Sequence, residues 1–409
     1  MAARKTIPVK AAKEKVNKGR QSELDWLKAV CILMMIMLHV YEDCAAEPGG
    51  LIYGFFDYAC TFLGAGAFMI CMGVGMCFSR NHDPKNYFLR GIEILTVGQF
   101  LNLLRNALPN LIAWWVTGKN IFIAQSLLVL QADILTFAGL AFLLIALLKH
   151  LKVSEGYILA LGIAMNIAAI PIYNYVSMPE HYLTGLFAGF FVMTDQASFF
   201  PLMSYFVFVA FGYYIGNLYP RISDKRALSG RVLLICVPIV VIYYALRMTV
   251  PFPFLPEFGS REQYTLNPAT DAVASCMFSL IVLALFSRIS MRMGGKVPEC
   301  IGHVSKNINR YYCVSNVLTF QMLTLLLAFT GGKMPGMLWP TLYGLFIIAV
   351  CYWAIEINEK YIHFSLVELK PPKRTIIFTV IWIAVVLVVA YAYPRVTEYA
   401  TISNGFLMP

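Results

Sequence analysis

The chain has 409 residues, 59% of them hydrophobic and 13% charged, with a formal net charge of +10 at pH 7. Soluble proteins carry about 45–50% apolar and about 25% charged residues, so this composition excludes an ordinary soluble domain. The positive charge does not indicate a nucleic-acid partner, because the Lys and Arg residues lie in short loops between apolar runs, the pattern that orients a membrane protein.

Residues 1–21 are basic and lack an apolar core, so they read as a disordered cytosolic arm with affinity for anionic lipid, not a cleavable signal peptide. From 22 to 395, apolar windows of membrane-spanning length fall at 24–41, 58–79, 87–105, 130–148, 156–176, 199–219, 231–250, 270–289, 311–330, 338–357 and 375–394, and 396–409 make a short extracytoplasmic tail. The fourth window is the weakest. Its apolar stretch, Ile121 to Leu148, is broken by Gln125, Gln131 and Asp133, which leaves room for a re-entrant piece. No fixed-period repeat appears, nor a matched pair of broken helices of the kind many secondary transporters use. The expected fold is all-α integral membrane, a single bundle of about 10–11 transmembrane helices.

Loop charge gives this bundle a direction. With the N-terminus inside, the cytosolic side collects 25 Lys and Arg residues and the outer side 6, namely Arg105, Lys119, Arg247, Arg261, Lys333 and Arg395, with Lys28 left out of both. Cytoplasmic loops are the basic ones, so the N-terminus is expected in the cytosol and the protein as multi-pass in the plasma membrane. The ten Cys residues form no C-x-x-C pair and no Cys/His group with zinc spacing, which argues against a disulfide framework or a metal site.

The first window carries Asp25, Lys28 and His39, ionisable groups that are costly in a membrane helix and mark a functional site by default. At roughly 100° per residue, the steps from Lys28 to His39 come within about 20° of whole turns, so the groups share a face. Lys28 then stands at the cytosolic end and His39 about 16 Å further out. Ser22 and Asp25 also fit a capping arrangement. Glu42 and Asp43, three and four residues past His39, are placed to meet the imidazole if the helix continues.

This helix resembles the opening of the acyltransferase 3 family, which reads Asp-x-Leu-Arg-Gly, an apolar run, then His; the counterpart is Asp25-Trp26-Leu27-Lys28-Ala29 through His39. The following segments are more similar to the heparan-alpha-glucosaminide N-acetyltransferase-like proteins. The stretches concerned are Phe62 to Phe68, Gly73-Val74-Gly75, Phe88-Leu89-Arg90-Gly91, Asp133 to Gly139, and Phe200-Pro201-Leu202 leading to Gly212 and Gly216. Lys28 departs from the family's Arg and loses the bidentate grip of a guanidinium on phosphate. Ser315 stands where the acyltransferase 3 pattern often has a late His.

The resemblance implies transfer of an acyl group, commonly acetyl from cytosolic acetyl-CoA or another acyl-CoA, to a hydroxyl or amine of a glycan or glycolipid at the outer face. Lys28, Arg90 and Lys85 are the candidates to hold the CoA diphosphate. His39 is the candidate general base or acyl carrier, with Asp43 to orient it. Asn316 is a candidate oxyanion donor, alongside Gln321, Asn102 and Gln99, and Trp114 and Trp115 are placed to stack on a sugar. No metal is expected, and a homodimer is kept as a further assembly. Glu93 and Asp133 are expected either to line a path or to pair with Arg90 or Lys149. Two other readings stay open: a transporter using the same polar line, and an inactive acyltransferase-like subunit.

Overall fold

A computed structural model describes residues 19–79, 82–130, 132–176, 182–193, 199–363 and 371–392. Most of the basic arm, Arg80, His181 and the tail at 396–409 lie outside them. The protein is 83% helical and contains no strand among the described residues, as a lipid-embedded chain requires when each backbone polar group must be satisfied within its own segment. Among the described residues, seven helices are long and apolar enough to cross a membrane, or eight if one bent pair is a single span. The chain is thus an all-α, multi-pass membrane protein.

The helices follow the apolar windows closely. They are α1 (Ser22–Cys44), α2 (Gly50–Phe62), α3 (Gly64–Phe78), α4 (Pro84–Asn102), α5 (Leu108–Thr117), α6 (Asn120–Ser126), α7 (Ile134–His150) and α8 (Glu155–Tyr175). Next come α9 (Tyr182–Gly189), α10 (Leu202–Leu218), α11 (Lys225–Thr249), α12 (Arg261–Leu266) and α13 (Ala269–Ser290). The series ends with α14 (Lys296–Lys306), α15 (Ile308–Phe329), α16 (Leu338–Ile357) and α17 (Pro371–Ala392). Helix α4 begins with Pro84 in its first turn and Asp83 accepting from the Lys85 backbone N–H at 3.1 Å, an N-terminus fixed by its own sequence.

Three elements differ from the sequence expectation. The second window begins earlier, at Gly50, and bends by 42° between α2 and α3. The third does not end at Arg105, because α4 runs through a π turn, Leu103–Ala107, into α5. The stretch before α7 is helical, with α6, which contains Gln125, followed by a 3-10 turn over Leu127–Leu130, and Asp133 caps the start of α7.

Contacts sort the helix ends into two sets. At one end Lys225 meets Glu23 at 2.7 Å and Arg20 donates to the Gly302 carbonyl at 2.7 Å. At the other, the Lys333 ammonium donates to the Glu42 carbonyl at 2.9 Å, and Met334 exchanges backbone hydrogen bonds with Cys44 and Ala46. Small residues let the helices touch backbone to backbone between these ends. A Cβ added at Gly73 of α3 would fall 2.2 Å from the Val209 carbonyl oxygen of α10. Between α4 and α7, a Cβ at Gly139 would fall 2.9 Å from the Gly91 carbonyl oxygen.

Candidate active site

Helix α1 is the hub, packed against α2, α3, α13, α14, α15 and α16. Its first turn is pinned by side chains. Glu23 accepts from Lys225 and from the Tyr219 hydroxyl, and Asp25 accepts from Arg20 at 2.5 Å and from the Ser305 hydroxyl at 2.6 Å. This corrects the capping reading of Ser22 and Asp25: the N-cap is Gln21, which makes no side-chain cap, and Asp25 ties α1 to α14 instead.

Lys28 is half-buried, and among the described residues it makes no hydrogen bond or ion pair; Cys71 of α3 lies within reach of its charge. Between Lys28 and His39 the same face of α1 carries Ile32 and Ile36, each 1% exposed. The polar residues of α1 therefore form two stations separated by apolar packing, and no unbroken polar row joins them along the helix.

The second station holds His39 and Asp43, both half-buried and without a hydrogen bond among the described residues. The guanidinium of Arg105 acts electrostatically on both. Arg105 is 5% exposed, which corrects its assignment to an outer loop. The π turn, a device frequent at functional sites, carries it inside the bundle. There it meets Asp133 at 3.4 Å and donates to the Asn316 side-chain oxygen at 3.1 Å, with its carbon 5.2 Å from the Phe320 ring centroid.

Asp133 is held independently. It is the N-cap of α7, and one of its oxygens accepts from the Leu135 and Thr136 N–H groups at 3.0 Å each. Both capping and the helix dipole favour an anion at that position. Its other oxygen accepts from the Tyr312 hydroxyl at 3.3 Å as well as facing Arg105. The expected partner Lys149 is elsewhere, donating to the Tyr213 hydroxyl at 3.1 Å. Gln99 joins the cluster through Thr136 at 3.1 Å. Helices α4, α7 and α15, with the π turn, thus contribute to one buried polar cluster whose arginine acts electrostatically on His39.

The remaining sequence candidates are more scattered. Arg90 pairs with Glu93 at 3.0 Å on an exposed part of α4, and Lys85 is exposed at its start. No hydrogen bond or ion pair joins either to Lys28 among the described residues. Trp114 and Trp115 project from α5, the latter 82% exposed. Asn316 lies in the polar cluster, its oxygen taken by Arg105 and its amide donating to the Tyr312 carbonyl at 3.0 Å. No group of His, Cys, Asp and Glu residues among the described residues is arranged to hold a metal ion.

Sequence reasoning missed Arg105 as a site residue. The available signal was a basic residue at the very end of one apolar window and an acid near the start of the next.

A second polar cluster lies where α2 bends into α3. Arg247 and Asp271, each at most 4% exposed, face one another at 3.4 Å. Beside them is a cavity of about 40 Å³ bordered by Tyr205, Tyr244, Gln263, Tyr264 and Ser275.

Comparison with known proteins places this geometry. No curated protein and no solved structure matches the chain. The sequence model of the heparan-alpha-glucosaminide N-acetyltransferase catalytic region matches residues 20–242. That span starts just before α1, includes the whole Lys28–His39 segment, Arg105 and Asp133, and covers more than half of the chain. The chain therefore belongs to the heparan-alpha-glucosaminide N-acetyltransferase catalytic family, a family of membrane acetyltransferases.

Proposed function

We propose that this protein transfers an acyl group, acetyl in the first instance, from a cytosolic acyl-CoA to a hydroxyl or amine of an extracytoplasmic glycan or glycolipid in the plasma membrane. The observation that carries this reading is His39: a half-buried imidazole with no hydrogen-bond partner among the described residues, on the first helix of the family match, within the field of a buried arginine. A histidine left unpartnered and reachable is available to a ligand.

His39 takes the proton of the acceptor group, or carries the acyl group itself. Asp43, one turn further on, orients the ring. Lys28 supplies positive charge to the CoA diphosphate; its ammonium is not spent on a protein carboxylate, which fits that donor. Arg90 and Lys85 extend the basic entrance at the same end, where positive charge also draws the anionic donor from the cytosol. Asn316 lines the reaction chamber through its bond to Arg105, and Trp114 and Trp115 offer faces for a sugar at the outer rim. A homodimer is compatible with this arrangement and plays no part in it.

The test uses purified full-length protein in nanodiscs with acetyl-CoA labelled in the acetyl group. Wild type releases CoA and labels an amino sugar or hydroxyl acceptor, while His39→Ala loses 100-fold or more, the scale of a general base. If wild type neither binds acetyl-CoA nor releases CoA with any acceptor, acyl transfer is wrong and a transport or structural role takes its place.

A further inference from the structure

We infer that Arg105 is the oxyanion-binding residue of this site, the group that takes the carbonyl oxygen of the acyl thioester. The inference rests on the acyl-transfer reading above. It starts from how the guanidinium is used. A guanidinium has five N–H donors. Here one terminal nitrogen faces Asp133 and the other faces Asn316, while the Nε–H is buried with no partner among the described residues. Asp133 and Asn316 are themselves fixed, by the α7 N-terminus and by the Tyr312 backbone. The arginine is thus braced from behind by groups that cannot turn to follow a substrate.

A buried cation, braced on two sides and carrying an unused donor, is the arrangement that stabilises developing negative charge, and its charge reaches the imidazole of His39. A purely structural ion pair between α4 and α7 has no need of the π turn that brings Arg105 inward, nor of a third partner on α15.

The step balances without any further reagent. The acceptor's nitrogen or oxygen lone pair forms a bond to the thioester carbonyl carbon, and the C=O π pair moves onto oxygen, beside Arg105. Collapse re-forms C=O and breaks C–S, and CoA leaves as thiolate. The acceptor's proton passes to His39 and from there to the thiolate, giving an amide or ester and CoA-SH.

The test compares wild type, Arg105→Lys, and the double variant Arg105→Gln with Asp133→Asn, which leaves no unpaired charge behind. Each is assayed for kcat with acetyl-CoA, for Kd of CoA itself, which lacks the acyl carbonyl, and for thermal midpoint. The expected result is a loss of kcat of about 100-fold or more in both variants, as for removal of an oxyanion donor, with Kd for CoA within about twofold of wild type. Arg105→Lys keeps the charge and carries the test alone if the double variant does not fold. Unchanged kcat in Arg105→Lys overturns the assignment and leaves acyl transfer standing. A parallel loss of kcat, CoA binding and thermal midpoint also overturns it, in favour of a structural role. An inactive wild type removes the acyl-transfer reading and this assignment with it.

Discussion

Gly212 of α10 lies against Ile70 of α3 so closely that an added Cβ would fall 2.1 Å from the Ile70 carbonyl oxygen. The reciprocal contact, Gly73 against Val209, has the same character, so the two helices cross with backbone against backbone. Gly75, in the same short motif, has nothing within 4 Å. Gly212→Ala and Gly73→Ala should each cost about 3 kcal/mol or more, the upper part of the overpacking range, and lower the yield of monodisperse protein. Gly75→Ala should be neutral or stabilise by up to about 1 kcal/mol, because Ala is the better helix former. Thermal unfolding of the three variants in one detergent decides this, and equal effects at Gly73 and Gly75 would refute the packing account.

That contrast shows how far the sequence could be read. Helices form at the apolar windows because lipid leaves the backbone few options, although seven or eight of them, not eleven, qualify as spans among the described residues, and the glycines belong to stretches that resemble the family. What they do, letting α3 and α10 touch, needed the neighbouring helix. The spacing of Lys28 and His39 put them on one face, but spacing is silent on Ile32 and Ile36, whose burial separates the two stations. Arg105 was misread for a physical reason. A window average places a charge at its edge in a loop, and a π turn adds a residue per turn that no hydrophobic periodicity reveals. Asp25 was misread because a capping pattern is local, whereas its partner Ser305 is 280 residues away.

Of the six basic residues assigned to the outer side, Arg105 and Arg247 are buried and paired with acids, so fewer cations remain to face the exterior there. Arg247 and Asp271 form the more deeply enclosed pair, with Tyr243 donating to the same carboxylate at 2.6 Å. Asp271→Ala should cost about 3–5 kcal/mol, because it strands a buried guanidinium. The double replacement Arg247→Met with Asp271→Leu should recover most of that loss, since a buried pair is poorly repaid for its desolvation. A double-mutant cycle on thermal stability checks both halves. A double variant no better than Asp271→Ala alone would mean that the polar groups around the pair, not the charges, hold α11 to α13.

Lys28 is the residue where this chain departs most from the acyltransferase 3 pattern, and its ammonium makes no hydrogen bond or ion pair among the described residues. If it holds the donor's diphosphate, Lys28→Met should raise the KM for acetyl-CoA by roughly 10- to 100-fold with little change in kcat, the scale of a hydrogen bond to a charged group. Lys28→Arg should retain or improve binding, because guanidinium matches phosphate geometry. Steady-state kinetics at varied acetyl-CoA gives the answer. A drop in kcat at constant KM would instead place Lys28 near the reacting atoms.

Orientation can be tested with a cysteine already present. Cys300 is exposed on α14, and α14 is fastened to the first turn of α1 by Arg20 with Gly302 and by Ser305 with Asp25. Whatever side the α1 N-terminus occupies, Cys300 occupies too. The excess of Lys and Arg at that end predicts the cytosol. A membrane-impermeant maleimide should therefore leave Cys300 unlabelled in intact cells and label it in inside-out vesicles. Leu338, 66% exposed at the start of α16 and on the opposite end, supplies the control: in a Cys300→Ser background, Leu338→Cys should label from outside. Labelling of Cys300 in intact cells would invert the topology. It would also put Lys28 on the wrong side of the membrane for a cytosolic donor, so this one measurement bears on the direction of acyl transfer as well as on the fold.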